Sequence, residues 1–321
     1  EGNYKNVLDN VVELEKISVY EKTQSTSDFD KEKFLEIQPD DTIDKQLAGS
    51  AIPTINVTNL RYSNTAFNNY ERCPLAFKFE RVWNAKSSAV DPFAEDNHMY
   101  IGTVFHAVVE RAADPNGLDS NHDHAKLVEV LEEEWDTKQF LYSPKKEEKE
   151  AFETVKKLLE VYQEWSENNP NKVIGVEVDF SMKIGGKMVK GYIDRLEKTP
   201  EGKYHVVDYK TGDPKKVDAE NDRQLNLYAE ACRRNCLKDI KLEGDTVPEQ
   251  AMLFYPKKDD GHREYPYKVD TDKIDEIVSH IEEEIIKKVD AHEFPATPGM
   301  VCNSCDYKTI CKFAAPVKRR N

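Results

Sequence analysis

Cysteine is scarce in this chain, with six among 321 residues. So few in so long a chain exclude a secreted scaffold held by dense disulfides. No apolar run approaches the length of a membrane span, and no signal peptide is visible. These absences point to a reducing intracellular compartment, cytoplasmic or nucleoid-associated, and to no membrane partner. Internal repeats and the glycine pattern of a P-loop are also missing, so no ATP motor is visible. Positive charge is short: 46 Lys and Arg face 61 Asp and Glu, a net of −15, which by itself argues against nucleic-acid binding. The length suffices for one large core or a core with appendages. The chain opens at Glu1 rather than Met, as a fragment of a larger protein would.

The cysteines that are present carry the most information. Cys302, Cys305 and Cys311 form C-x2-C-x5-C, and Cys73 lies far upstream before Pro74 in "YERCPLAFKFERVW". Three close thiols supply one face of a soft-ligand site, and Cys73 is the best fourth. Such a site suits an iron–sulfur cluster or zinc, and it would tie the two ends of a domain together. Both segments are basic. Residues 56–90 carry Arg61, Arg72, Lys78, Arg81 and Lys86 against two acids, and residues 296–321 carry Lys308, Lys312, Lys318, Arg319 and Arg320 against one. Their convergence would make a positive patch suited to a polyanion; the plainer reading is solvated surface charge.

Residues 1–55 read as an acidic extension or linker. The pattern then predicts a helical segment through "NLRYSNTAFNNYERCPLAFKFERVW", anchored by Phe67, Tyr70, Leu75 and Phe79, and a loop over 86–98. An apolar helix over 99–113 carries His106. Polar helices follow near 123–140 and 144–168, the second started by Pro144. A three-strand meander begins near Val173, a helix covers about 220–236, "QAMLFYP" is a strand reached by a parallel crossover, and a late amphipathic helix spans 271–292.

Turn chemistry sets the register of the meander. Gly185–Gly186 suits a two-residue turn, which opposes Ile184 to Lys187 and, counting back, Glu177 to Asp194. At the second turn, a four-residue loop would pair Asp194 with Val207. A three-residue loop, Pro200–Glu201–Gly202, pairs it with Asp208 and is preferred, because the left-handed position requires glycine. Glu177, Asp194 and Asp208 then form a row on one face, joined by Lys210. Opposed like charges destabilise a sheet, so the row calls for a cation; the plainer alternative is a solvent-exposed polar face. Carboxylates with a backbone carbonyl suit Mg²⁺ or Mn²⁺. His106 could add a nitrogen, unless it is a packing residue. Lys210 would offset charge in a phosphoryl transition state. Gln224 and Tyr228, one helical turn apart, could reach the same site or serve the core.

The ordered set "GTVFH", "GYID", "VVDYK" and "QLNLY" resembles the PD-(D/E)XK nucleases of RecB type over residues 60–315. With Cys73 and the C-terminal cysteines, the chain resembles the iron–sulfur branch that includes AddB-type helicase–nuclease subunits and CRISPR adaptation nucleases. The resemblance implies an α/β fold with a mixed sheet: a restriction-endonuclease-like core with an antiparallel meander, flanking helices and an iron–sulfur clasp. It implies clasp segments at 56–98 and 296–321 around a core at 99–295. It also implies a [4Fe–4S] cluster on Cys73, Cys302, Cys305 and Cys311, and a metal site at His106, Asp194, Asp208 and the carbonyl of Tyr209, with Lys210 catalytic. Asp208 stands where many relatives have Glu. The expected activity is metal-dependent DNA hydrolysis, as an exonuclease on single-stranded ends, within a helicase–nuclease that serves repair or recombination. The alternative is a non-catalytic nucleic-acid-binding module on the same scaffold.

Other features read as structural. Cys232 and Cys236 suit packing, His122 and His124 a solvated loop, and Trp83, Trp135 and Trp165 the core. Tyr62, Phe67 and Tyr70 could stack on bases but suit the core better.

Overall fold

A computed structural model describes residues 57–85, 97–113, 124–137, 145–213, 219–257 and 263–314. The extension at 1–55, the loop at 86–96, His122, Pro144 and the basic residues Lys318 to Arg320 lie outside the described residues.

Strands β1 (Lys172–Ile184), β2 (Lys187–Lys198), β3 (Tyr204–Tyr209), β4 (Gln250–Phe254) and β5 (Glu264–Lys268) form one sheet in sequence order. Only β3 and β4 run parallel, as the helix between them requires. The two turns take the expected forms. Gly185 and Gly186 have φ of 54° and 77°, and Ile184 pairs with Lys187. At the second turn Gly202 has φ of 84°, and the Thr199 N–H donates to the Lys203 carbonyl at 2.8 Å, closing the three-residue loop. The ladder runs from Lys198↔Tyr204 to Arg195↔Val207; one step further puts Asp194 opposite Asp208.

β5 has no counterpart in the sequence reading. "EYPYK" contains Pro266, which removes a ladder donor and is tolerated because β5 is an edge strand.

Helices cover both faces of the sheet. On one side lie α3 (Asn97–Ala113), α4 (His124–Glu134) and α5 (Lys145–Asn168). The α5 residues Ala151, Val155, Leu158, Leu159 and Tyr162 recur at helical spacing and are buried in one cluster with Val207, Tyr209, Met252 and Phe254 of the sheet. On the other side, α1 (Asn64–Arg72), α6 (Ala219–Arg233) and α7 (Thr271–His280) cover Val206, Ala251 and Leu253. α7 continues through a π-helical turn, Ile281–Ile286, into α8 (Lys287–Asp290).

The segment around Cys73 is two helices rather than one. The residue before a proline is pushed out of the helical region, and Cys73 is extended, with φ of −164° and ψ of 105°. It ends α1 and starts α2 (Pro74–Phe77), which passes into a π-helical turn, Lys78–Val82. Phe77 is a buried anchor of this segment, and Leu75 is only partly buried. Trp83, expected in the core, is 50% exposed.

Gly191 of β2 leaves no room for a side chain, since a Cβ there would lie 2.6 Å from the Phe180 ring. Gly191→Ala should therefore destabilise the protein by about 1–3 kcal/mol, read as a lower urea midpoint at unchanged slope.

Candidate metal centre

The site forms where β2 and β3 part company. The ladder between the two strands ends at Arg195↔Val207, and the Tyr209 N–H donates instead to Asp194 Oδ2 at 2.7 Å. Across β2, Glu177 lies between the pairs Val176↔Arg195 and Val178↔Ile193, which places it opposite Asp194 as the turn register predicts. Its φ of 44° is unusual for a non-glycine residue. His106 comes from α3 and sets Nδ1 3.6 Å from Glu177 Oε1 and 3.7 Å from Asp194 Oδ2. Ligand atoms of His106, Glu177 and Asp194 all lie within 4.8 Å of one another. One nitrogen and two carboxylates so close form a donor set for a divalent cation.

Asp208 occupies a neighbouring closed ring. Lys210 Nζ lies 2.6 Å from Asp208 Oδ2 and donates to Gln224 Oε1 at 3.0 Å. Gln224 Nε2 donates to the Tyr228 hydroxyl at 2.7 Å, and that hydroxyl donates to Asp208 Oδ1 at 3.3 Å. The helical pair Gln224 and Tyr228 thus meets Lys210 and Asp208 directly. Asp208, whose side chain is 1% exposed, is committed to these partners rather than to the His106 trio.

The electrostatics follow from three acids and little water. Burial raises the Asp194 pKa first, and the charges of Asp208 and Glu177 add to it; His106 and the Tyr209 N–H oppose them, leaving it at about 8. Burial pulls His106 down, yet Glu177, Asp194 and Asp208 outweigh it and hold it above its ordinary value. Burial likewise pulls Lys210 down, and Asp208 more than restores it, so the ammonium stays charged. A charged Lys210 suits charge stabilisation rather than a general base.

Behind the site, Arg195 and Glu197 form a buried pair, Nε to Oε1 at 2.5 Å. The guanidinium also donates to the Tyr162 hydroxyl and Ser166 Oγ at 3.3 and 3.2 Å, fastening β2 to α5. Sequence reasoning passed over this pair; its signal was two opposite charges two residues apart, on one face of the strand, flanking Leu196. The assignment of Cys232 to packing fits its burial, which raises its thiol pKa to about 12. His124, expected in a solvated loop, starts α4 with Nε2 3.4 Å from Glu160 Oε1.

The two cysteine segments meet away from the carboxylates. Arg72 Nη2 donates to Ser304 Oγ at 2.5 Å, the Leu75 N–H to the Pro295 carbonyl at 3.3 Å and the Tyr307 hydroxyl to the Ala85 carbonyl at 3.3 Å. Cys73, Cys302, Cys305 and Cys311 all line one cavity of about 100 Å³, with Phe79 and Tyr307 among its walls. No three cysteine sulfurs among the described residues lie within 4.8 Å of one another.

A family model described as the PD-(D/E)XK nuclease superfamily matches residues 61–312. Among solved structures, the chain is similar to the crystal structure of SSO0001, with 14% identity and a TM-score of 0.38 over 86% of this chain and 97% of that one. It is also similar to a candidate exonuclease from Eubacterium rectale, with 13% identity and a TM-score of 0.45 over 85% and 95%. No curated protein matches. Among the described residues no helix is long and apolar enough to cross a membrane.

The protonation of Asp194 and His106 makes stability depend on pH. Between the ordinary carboxyl value of 3.8 and about 8, folded Asp194 keeps a proton that the unfolded chain has lost, so stability falls as pH rises through that window. His106, raised by its partners, loses its contribution as pH rises too. Metal-free protein should therefore melt lower at pH 8 than at pH 5. Asp194→Asn should flatten that slope and raise the pH 8 midpoint by roughly 2–8 °C, measured by scanning calorimetry in chelator.

Proposed function

The chain belongs to the PD-(D/E)XK nuclease superfamily, and from that premise we propose that it is a metal-dependent DNA nuclease acting as an exonuclease on single-stranded ends. The observation that carries this reading is the meeting of His106, Glu177 and Asp194 beside a charged, anchored Lys210. His106, Glu177 and Asp194 would hold Mg²⁺ or Mn²⁺, with the Tyr209 carbonyl as a further ligand, and Asp208 would join them only by giving up Lys210. A divalent ion there would acidify water and draw charge from a phosphoryl oxygen. Lys210, kept cationic by Asp208 and aimed by Gln224, stabilises negative charge building on the phosphoryl group. Tyr228 holds Asp208 from the far side, so the ring keeps its shape when Lys210 meets the substrate.

The four cysteines suit a [4Fe–4S] cluster. Zinc–sulfur bonds of about 2.3 Å would require tetrahedral sulfurs about 3.8 Å apart. All four cysteines line one cavity, which supports a shared four-thiolate centre, and the cluster is the occupant proposed. Its role is to join segments 56–98 and 296–321 beside single-stranded DNA. A helicase module, in the same chain or a partner, would supply that strand during repair or recombination.

End-labelled single- and double-stranded DNA with blocked 5′ or 3′ ends, incubated with Mg²⁺ or Mn²⁺, tests the activity. Cleavage should be lost in Asp194→Ala and fall on the order of 10²–10³-fold in Lys210→Ala, with folding retained in both. Unchanged cleavage by both variants would sink the assignment, and DNA binding without turnover in any metal would favour the non-catalytic module. Protein purified without oxygen should be brown and absorb near 400 nm, a range set by thiolate-ligated iron. Cys302→Ala should bleach it and lower its stability more than it changes divalent-metal binding. A colourless protein with stoichiometric zinc would refute the cluster.

A further inference from the structure

The long β1–β2 hairpin has one buried face and one open face. Val178, Phe180, Met182 and Ile184 of β1 and Val189 and Ile193 of β2 turn inward and are buried. The alternate residues turn outward and pair as Asp179↔Tyr192, Ser181↔Lys190 and Lys183↔Met188. The rung next to Glu177 and Asp194 is Asp179↔Tyr192, so the open face is a strip that begins beside the metal centre.

The strip changes character along its length. Tyr192 is 57% exposed and stands two residues from Asp194, about 7 Å along the strand. Lys190 and Lys183 follow, both exposed. Exposed Arg61 reaches the same place, because its neighbour Tyr62 pairs with β2: the Tyr62 N–H donates to the Met188 carbonyl at 3.0 Å and the Lys190 N–H to the Tyr62 carbonyl at 2.9 Å. Three cations gather here on a chain of net charge −15. Ser181 is turned to Met188, Oγ to Sδ at 2.8 Å.

We propose that this strip binds single-stranded nucleic acid flanking the phosphate at the metal centre, with Tyr192 stacked on an unpaired base and Lys190, Lys183 and Arg61 holding phosphates further out. The proposal rests on the nuclease reading for the direction of the strand. Charge complementarity selects a polyanion for the outer rungs. Asp179, beside Tyr192, repels phosphate and leaves that rung to the uncharged face of a base. Sequence-tolerant stacking on an exposed aromatic needs a base out of a duplex, which selects a single strand.

Fluorescence anisotropy with a fluorescein-labelled oligothymidylate and a duplex of equal length, in Ca²⁺ and without Mg²⁺ or Mn²⁺, tests this apart from catalysis. Tyr192→Ala should weaken single-strand binding about tenfold and duplex binding much less, while Tyr192→Phe stays close to the parent protein. Lys190→Ala should lower the salt slope of binding by about 0.7, one phosphate on a single strand. Lys146→Ala, an exposed lysine in the first turn of α5, is the control. Unchanged single-strand affinity in a folded Tyr192→Ala protein would overturn the proposal, as would an equal loss on duplex. The expected binding pattern in a protein that cleaves neither DNA would support this surface while refuting the nuclease reading.

Discussion

Three carboxylates on neighbouring strands repel one another, and the centre of the molecule is organised around that repulsion. Asp194 is held by the Tyr209 N–H and faces His106. Asp208 is matched by Lys210 and Tyr228. Glu177 is bent into place by a left-handed backbone. Local cations and donors compensate only part of the charge, and the remainder appears as a proton retained on Asp194. A centre that resists emptying its protons is one that a dication can occupy by displacing them. The metal affinity of such a site and the instability of its unloaded form are two expressions of one electrostatic fact.

The fastening behind the centre matters as much as the ligands. Arg195, adjacent to Asp194, locks β2 to α5 through Glu197, Tyr162 and Ser166. Lys210 and Gln224 perform a similar service between β3 and α6. The row of acids is thus braced from both helical layers, which limits how far mutual repulsion can spread the strands.

Much of this was legible in the sequence because turns are stereochemically strict. Gly185, Gly186 and Gly202 set two hairpin registers, and these alone align Glu177, Asp194 and Asp208. The parallel β4 followed from a helix placed between two strands. What escaped has physical reasons. β5 contains Pro266, which reads as loop until the strand is known to be an edge. Phe77 rather than Leu75 anchors the early helices because the break at Cys73 rotates α2 relative to α1. The preference of Asp208 for Lys210 over the His106 trio is a matter of side-chain geometry, invisible to register counting. Trp83 lies exposed because the π-helical turn at Lys78–Val82 shifts the face that helical periodicity would bury.

The pairing of the early cysteine segment with the late one also has a temporal side. Tyr70 and Arg72 find their partners at Glu293 and Ser304, more than two hundred residues on. During synthesis α1 and α2 leave the ribosome long before those partners exist, and closing so large a loop is slow. The sheet and its carboxylates can assemble while the end-to-end contact is still open. Residues 293–311 thus complete the thiol-lined cavity around chain made more than two hundred residues before them.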